Sequence, residues 1–536
     1  MNSRPFSTLW RTLRAVFQYL ALWACLALLL PISNAVAQEL WDLARQPGQA
    51  HHFSTLFTAQ DVRDYLSGED GLRQAIDWCK QTGITKVYIE CFRGGYQAQR
   101  AALKNAKQRF LAEGFRVSGC VTTTKVGKPS TGWSSEISCY TDLPTQRRLR
   151  QIFEYAASMF DEIMIDDFWF TDCTCPACDA ARRAERVTIG SHSYPVNGDT
   201  WEDYRRELMA RLSADCLLGP AKLVNPKVRL IIKYPQWYDR FHERGYDVVR
   251  ETAEFDRIWV GTETRDYNDR RWGGTPQYEG YFIMRWLGGI GGPKCGGGWF
   301  DSFGTTPATY IEQARQTILG GAAESMLFSY GSLQRGTGPE DIKALRANVP
   351  ELLAVAKQVR SRQIMGVATY KPPNSHPGKE ARVFDFVGMM GLPLVPCHTF
   401  PADAPAAFFS VHALKDPDLV SELGAFIQAG KPVLLTDGLA KALADRCDLR
   451  AANVHILSVN GDPKSLLKLS QGELDGLRAP LLRPLKTSFH APNRVGLYLF
   501  SDGSWVIENF NNESASVELN DTQFSIPARG WRFRWN

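Results

Sequence analysis

Between residues 52 and 332, short apolar runs alternate with amphipathic helical stretches, and eight such runs can be counted. The runs are 52–57, 86–91, 116–122, 162–167, 228–233, 257–263, 281–287 and 325–330. Helical spacing fills most of the gaps, at 71–81, 101–113, 146–159, 204–216 and 308–319. Eight βα units in a segment near the usual barrel size of roughly 250 residues predict a (β/α)8 TIM barrel over 38–335. Residues 340–475 change character: strands are expected at 366–370, 392–396, 406–411, 432–436 and 454–458, with helices at 418–429 and 438–444. That pattern predicts a smaller open α/β sheet. Residues 485–536 alternate apolar and polar positions around a Ser501-Asp502-Gly503 turn and predict a small antiparallel β domain.

The first 37 residues have a different purpose. Arg4, Arg11 and Arg14 precede an apolar stretch over 15–30, and Ala35-Val36-Ala37 offers a small-x-small cleavage pattern. This is the grammar of a secretory signal peptide, so the mature chain is expected in the periplasm or outside the cell, with no membrane association after cleavage. Cleavage removes three Arg and no acid, so the formal charge drops from +5 to +2. Such a chain has no field to attract nucleic acid, and no basic run or nucleic-acid motif contradicts this. The composition, 44% hydrophobic and 22% charged, excludes disorder and a multi-span membrane protein.

Reacting groups of a barrel of this kind sit at the carboxyl ends of its strands. Strand two ends in Glu90, strand four in Asp166-Asp167, strand five in Lys233-Tyr234, and strand six in Glu263 followed by Arg265. Strand seven is expected to end in Arg285-Trp286. Carboxylates dominate these ends, and Ser–His or Cys–His pairs and HExxH are absent. Two opposed carboxyls suit glycoside hydrolysis, where one protonates the leaving oxygen and the other attacks or activates water. Asp167 and Glu263 are the expected pair. Asp166 is a third catalytic candidate, and Glu90, Lys233, Arg265 and Arg285 shape the pocket. Trp169, Tyr234, Trp237, Trp286 and Trp299, with Trp133, Tyr267 and Trp272, lie near the same ends and offer flat faces to sugar rings. The Gly-rich segment 288–298 reads as a loop over the cleft. No nucleotide-binding pattern and no catalytic cofactor are expected.

Cys173, Cys175 and Cys178 have zinc-ligand spacing, and Cys139 would complete a tetrahedral structural site; a disulfide plus a free thiol, or three unlinked thiols, are the alternatives.

An acidic pair ending strand four, followed by CxCxxC and a helix, resembles the family 42 glycoside hydrolases, the three-domain β-galactosidases. The resemblance covers nearly the whole mature chain in layout and residues 163–178 in motif. It implies an amidotransferase-like middle domain that mediates homo-oligomer contacts, an acid/base role for Asp167, and zinc at the cysteines. The departures are an Asp-Asp where that family has Asn-Glu, and Arg285-Trp286 where its strand-seven Glu belongs. Carboxylates on strands four and six instead look like the α-galactosidase type of barrel, with a nucleophilic Asp on strand four. The expected function is therefore an exported glycoside hydrolase acting on an oligo- or polysaccharide. Two alternatives are an inactive carbohydrate-binding scaffold on a hydrolase fold, and a polysaccharide lyase using Lys233 or Tyr234 as base.

Overall fold

The computed structural model describes residues 39–265 and 275–536. The expected signal segment, Tyr267 and Trp272 lie outside them.

Eight parallel strands close into a barrel: β1 (His52–Phe57), β2 (Ile84–Arg93), β3 (Arg116–Val121), β4 (Glu162–Ile165), β5 (Arg229–Tyr234), β6 (Arg257–Gly261), β7 (Cys295–Asp301) and β8 (Glu324–Phe328). Closure is made by β1, which pairs with β2 on one side and β8 on the other. Each strand contributes one side chain to an interior cluster: Leu56, Tyr88, Cys120, Met164, Ile231, Trp259, Trp299 and Met326. The barrel is thus filled rather than hollow. Because side chains alternate along a strand, residues two positions further on share that inward face at the top, and residues two positions back share it at the bottom. This parity decides which end-of-strand residues can meet.

The surrounding helices carry orthodox start signals. Asp142 accepts the Thr145 amide at the head of Leu143–Ala157, and Thr306 and Thr309 form a capping box at Pro307–Leu319.

Strand seven is not where the apolar pattern placed it. Residues Glu279–Gly291 form a helix, and β7 is the glycine-rich Cys295–Asp301. The helix is buried on nearly every side, so its apolar residues follow no helical stripe and mimic a buried strand. The true strand hides because its glycines are demanded by packing. A Cβ at Gly296 would lie 2.0 Å from the Trp259 ring, and one at Gly298 would lie 2.4 Å from Thr317. The segment expected to be a loop over the cleft is therefore the end of a helix followed by a barrel strand.

Beyond the barrel, Val367–Tyr370, Leu394–Cys397, Ala407–Phe409, Val433–Thr436 and Val454–Leu457 form one wholly parallel sheet. Two small antiparallel sheets follow; Ile364–Met365, which precedes the parallel sheet in the chain, pairs with Val495–Phe500 in one of them. Among the described residues no helix is long and apolar enough to cross a membrane.

Candidate active site

Parity brings Glu90, Thr122, Asp166, Lys233 and Asp301 to the inward face at the carboxyl ends, each two residues beyond an interior core residue. They sort into two ion-paired groups. In the first, Arg93 donates to Glu90 Oε2 at 2.8 Å and to Asp166 Oδ2 at 2.6 Å. Thr122 Oγ1 lies 2.5 Å from Glu90 Oε1 and 2.9 Å from Asp166 Oδ2. A hydroxyl carries one proton, so it cannot donate to both. Burial pushes the Glu90 carboxyl up despite Arg93. Burial also opposes ionisation of Asp166, but Arg93 and Lys233 outweigh it and hold that carboxyl at about 2. Burial thus favours the protonated form at Glu90 and the surrounding cations favour the ionised form at Asp166.

In the second group, the Lys233 ammonium donates to Asp167 Oδ2 at 2.7 Å and to Glu263 Oε1 at 2.6 Å. Lys233 is buried beneath the two acids, 4.2 Å from the Trp299 ring centre. Asp167 has stepped off the strand and its side chain is 20% exposed, whereas Asp166 is buried. Burial pushes the Asp167 carboxyl well above its ordinary range, as do the neighbouring Asp166 and Glu263 charges, and Lys233 only partly offsets them. Tyr246 donates to the Asp167 carbonyl at 2.8 Å and fixes the turn. Glu263 Oε2 is buried without a partner among the described residues. A Cβ on Gly261 would lie 2.7 Å from that oxygen, so the glycine that ends β6 makes room for the carboxylate.

Asp301 is the site acid missed by the sequence pattern. It ends β7, accepts from Arg265 at 2.5 Å and from the Phe303 amide at 3.0 Å, and burial raises its carboxyl to about 6 against the pull of Arg265. Arg265 therefore pairs with Asp301, and contacts only the backbone carbonyl of Glu263.

Several expected contact residues lie elsewhere. Arg285 and Trp286 belong to the helix Glu279–Gly291, not to β7. Trp286 Nε1 donates to the Lys371 carbonyl, and Arg285 donates to the Leu319 carbonyl. Tyr234 follows inward-facing Lys233, so parity turns it outward, into a cluster with Phe241 and Tyr246. Trp169 is buried against Tyr140 and donates to Ser213. Trp299 is core, though it carries half-buried Phe328 stacked on it at 5.1 Å, and Arg93 lies over the other ring. Trp237 is half-buried beside Arg244, which also lies 5.7 Å from the 66%-exposed Trp133. Phe328 and the Trp133–Arg244–Trp237 group are thus accessible aromatic surfaces near these strand ends.

Cys139, from the loop after β3, meets Cys173, Cys175 and Cys178, from the loop after β4. Their sulfurs all lie within 4.8 Å of one another, with Cys139–Cys175 at 3.7 Å and Cys139–Cys178 and Cys175–Cys178 at 3.6 Å. A disulfide requires about 2.05 Å. Zn–S bonds of about 2.3 Å in a tetrahedron separate sulfurs by about 3.8 Å, so this donor set fits zinc in size and in chemistry.

A filled (β/α)8 barrel with ion-paired carboxylates at its strand ends has the architecture of the glycoside hydrolase barrels. The sequence profile of a probable glycosyl hydrolase catalytic domain matches residues 38–348, and the chain belongs to that family. An uncharacterized protein of Saccharolobus solfataricus is 26% identical over 350 residues, which is 61% of this chain and 57% of that protein. The chain thus spans little more than half the length of that curated relative. A catalytic mutant of Gan42B, a GH42 β-galactosidase from G. stearothermophilus, shares the fold with a TM-score of 0.59 at 9% identity, over 90% of this chain and 97% of that one. Alpha-L-fucosidase isoenzyme 2 from Paenibacillus thiaminolyticus gives the same TM-score at 9% identity, over 90% and 98%. At such identities the likeness concerns fold alone.

Proposed function

We propose that this chain is an exported, retaining glycoside hydrolase in which Asp167 is the general acid/base and Glu263 the nucleophile. The observation that carries this reading is the Lys233 clasp. Its two bonds limit the clasped oxygens of Asp167 and Glu263 to no more than about 5.3 Å apart, short of the roughly 6.5–9.5 Å by which inverting pairs admit a water between them. The two acids also stand in different environments, which divides their duties. Asp167 is partly exposed and burial pushes it towards its protonated form; Glu263 is buried and accepts from Lys233.

Asp167 gives its proton to the glycosidic oxygen as that C–O bond breaks, and Glu263 forms an ester bond to the anomeric carbon. Esterification removes the Glu263 charge, one of the groups holding the Asp167 carboxyl up, so Asp167, having given its proton to the leaving group, stays ionised and is free to take one from the attacking water. That water attacks the anomeric carbon and frees Glu263. Asp166 orients the turn through the Asp167 amide, which donates to it at 2.7 Å. The substrate is read as an oligo- or polysaccharide stacking on Phe328 and the Trp237 rim. Zinc at the four cysteines ties the loop bearing Asp167 to its neighbour, a structural duty only.

The test measures Asp167→Asn and Glu263→Gln on aryl glycosides and polysaccharides, with the product anomer followed by NMR. Retention and a collapse of turnover in both variants are expected. Inversion, or near-parental turnover in both, refutes the assignment. A second reading exchanges Glu263 for Asp301, because Asp301 ends strand seven, where the family resemblance implied a carboxylate. Activity surviving Glu263→Gln but lost in Asp301→Asn would select it.

A further inference from the structure

The opposite end of the barrel carries a charge arrangement that the glycosidase reading does not use. A cavity of about 620 Å³ opens at the amino ends of the strands, between the barrel and the segment at Ile364 and Pro396, and four arginines line it: Arg116, Arg257, Arg285 and Arg360. The volume is in the range of small-molecule sites. Parity explains part of the convergence: Arg257 lies two residues before interior Trp259, so it shares the inward face at the bottom of the barrel.

These guanidiniums are poorly neutralised. Arg257 has no hydrogen-bond or ion-pair partner among the described residues, and Arg116 comes no closer to an acid than 4.0 Å from Glu324. Arg285 donates to the Leu319 carbonyl and Arg360 to the Gly321 carbonyl, both uncharged acceptors. Glu324 is the one carboxylate among the lining residues, and it is already engaged by Tyr88 at 2.9 Å and Lys86 at 3.5 Å. His52 adds no anion; burial and Arg116 push its imidazole towards the neutral form. Nothing lies within 4 Å of a Cβ built on Gly288 or Gly292, so the glycine-lined side is open. Converging like charges around one cavity raise the energy of the fold unless a counter-charge enters. Guanidinium forks match phosphate and sulfate oxygens in geometry, which an ammonium does not.

We propose that this cavity is a binding site for a compact polyanion bearing phosphate or sulfate groups, at the end of the barrel opposite the carboxylates. The site is independent of the glycosidase reading. Calorimetric titration of the full chain with inorganic pyrophosphate, and separately with inorganic sulfate, at ionic strength held constant with sodium chloride, tests it. Saturable one-to-one binding is expected for at least one of the two anions, and the tighter one identifies the group preferred. The double variant Arg116→Ala/Arg257→Ala should weaken that binding at least tenfold, with circular dichroism unchanged. If the double variant does not fold, Arg257→Gln alone carries the test, because that side chain has no partner whose loss would disturb the fold. No saturable binding of either anion, or binding undiminished in the folded variant, overturns the proposal.

Discussion

Asp167→Asn separates chemistry from stability at one atom. The amide is isosteric, and its oxygen still accepts from Lys233, so the clasp to Glu263 survives. What disappears is the transferable proton and, at higher pH, a charge that burial disfavours. Loss of a general acid costs roughly 10²–10⁴ in rate, or about 3–5 kcal/mol of barrier. That loss should scale with the leaving group: nearly complete for alkyl glycosides, and small for the first step with nitrophenyl glycosides, whose phenolate leaves without help. Stability should move the other way. A carboxyl raised in the folded state contributes stability that is present below its unfolded value near 3.9 and is lost as pH rises through the folded value. The variant's Tm should therefore equal or exceed the parent's at pH 7, with the gap closing towards pH 4. The assay pairs kcat/KM over a leaving-group series with thermal unfolding over that pH range. An equal loss with every leaving group, or a Tm several degrees below the parent's at pH 7, refutes the reasoning.

Purified protein should carry one zinc per chain by elemental analysis; Cys178→Ser should lose it and lower Tm on the order of 10 °C. Metal-free protein whose Tm ignores a chelator would contradict this. Asp301, raised to about 6, contributes stability present below about 3.9 and lost as pH rises through about 6, worth about 3 kcal/mol. Asp301→Asn should remove that share of the fall in unfolding free energy between pH 4 and 7, and a parent-like pH slope would rule it out. Trp286→Ala should cost about 3–5 kcal/mol of stability because it empties a buried contact to Lys371, yet leave KM unchanged; a raised KM would return Trp286 to the sugar site.

Reading strand ends in the sequence located much of this site and misplaced the rest for identifiable reasons. Glu90, Asp166, Lys233 and the barrel itself were legible because β2, β4 and β5 are apolar runs with ordinary boundaries. Asp301 was not, because β7 needs glycine where the Trp259 ring and Thr317 approach, and a glycine run carries no strand signal. The neighbouring helix, apolar all round against the parallel sheet beyond, supplied a false strand and with it Arg285 and Trp286. Tyr234 and Trp169 failed for another reason. Proximity to a strand end says nothing about facing. Alternation from Lys233 would have turned Tyr234 outward, whereas Trp169 lies past the strand, where no alternation applies.

The Thr122 hydroxyl, shared between two acids, has a consequence for the electrical character of the sugar end. If Glu90 donates to Thr122, and Thr122 to Asp166, the chain of donors runs one way and Asp166 is left as a pure acceptor. Burial pushes Glu90, Asp167 and Asp301 towards their neutral forms, whereas Arg93 and Lys233 hold Asp166 ionised. Arg93, Lys233 and Arg265 each have an acid of this cluster in direct contact. The arginines at the opposite end have no acid closer than 4.0 Å among the described residues, so the two ends of one barrel treat their cations in opposite ways: carboxylates neutralise them at the sugar end, and backbone carbonyls accept from two of them at the other.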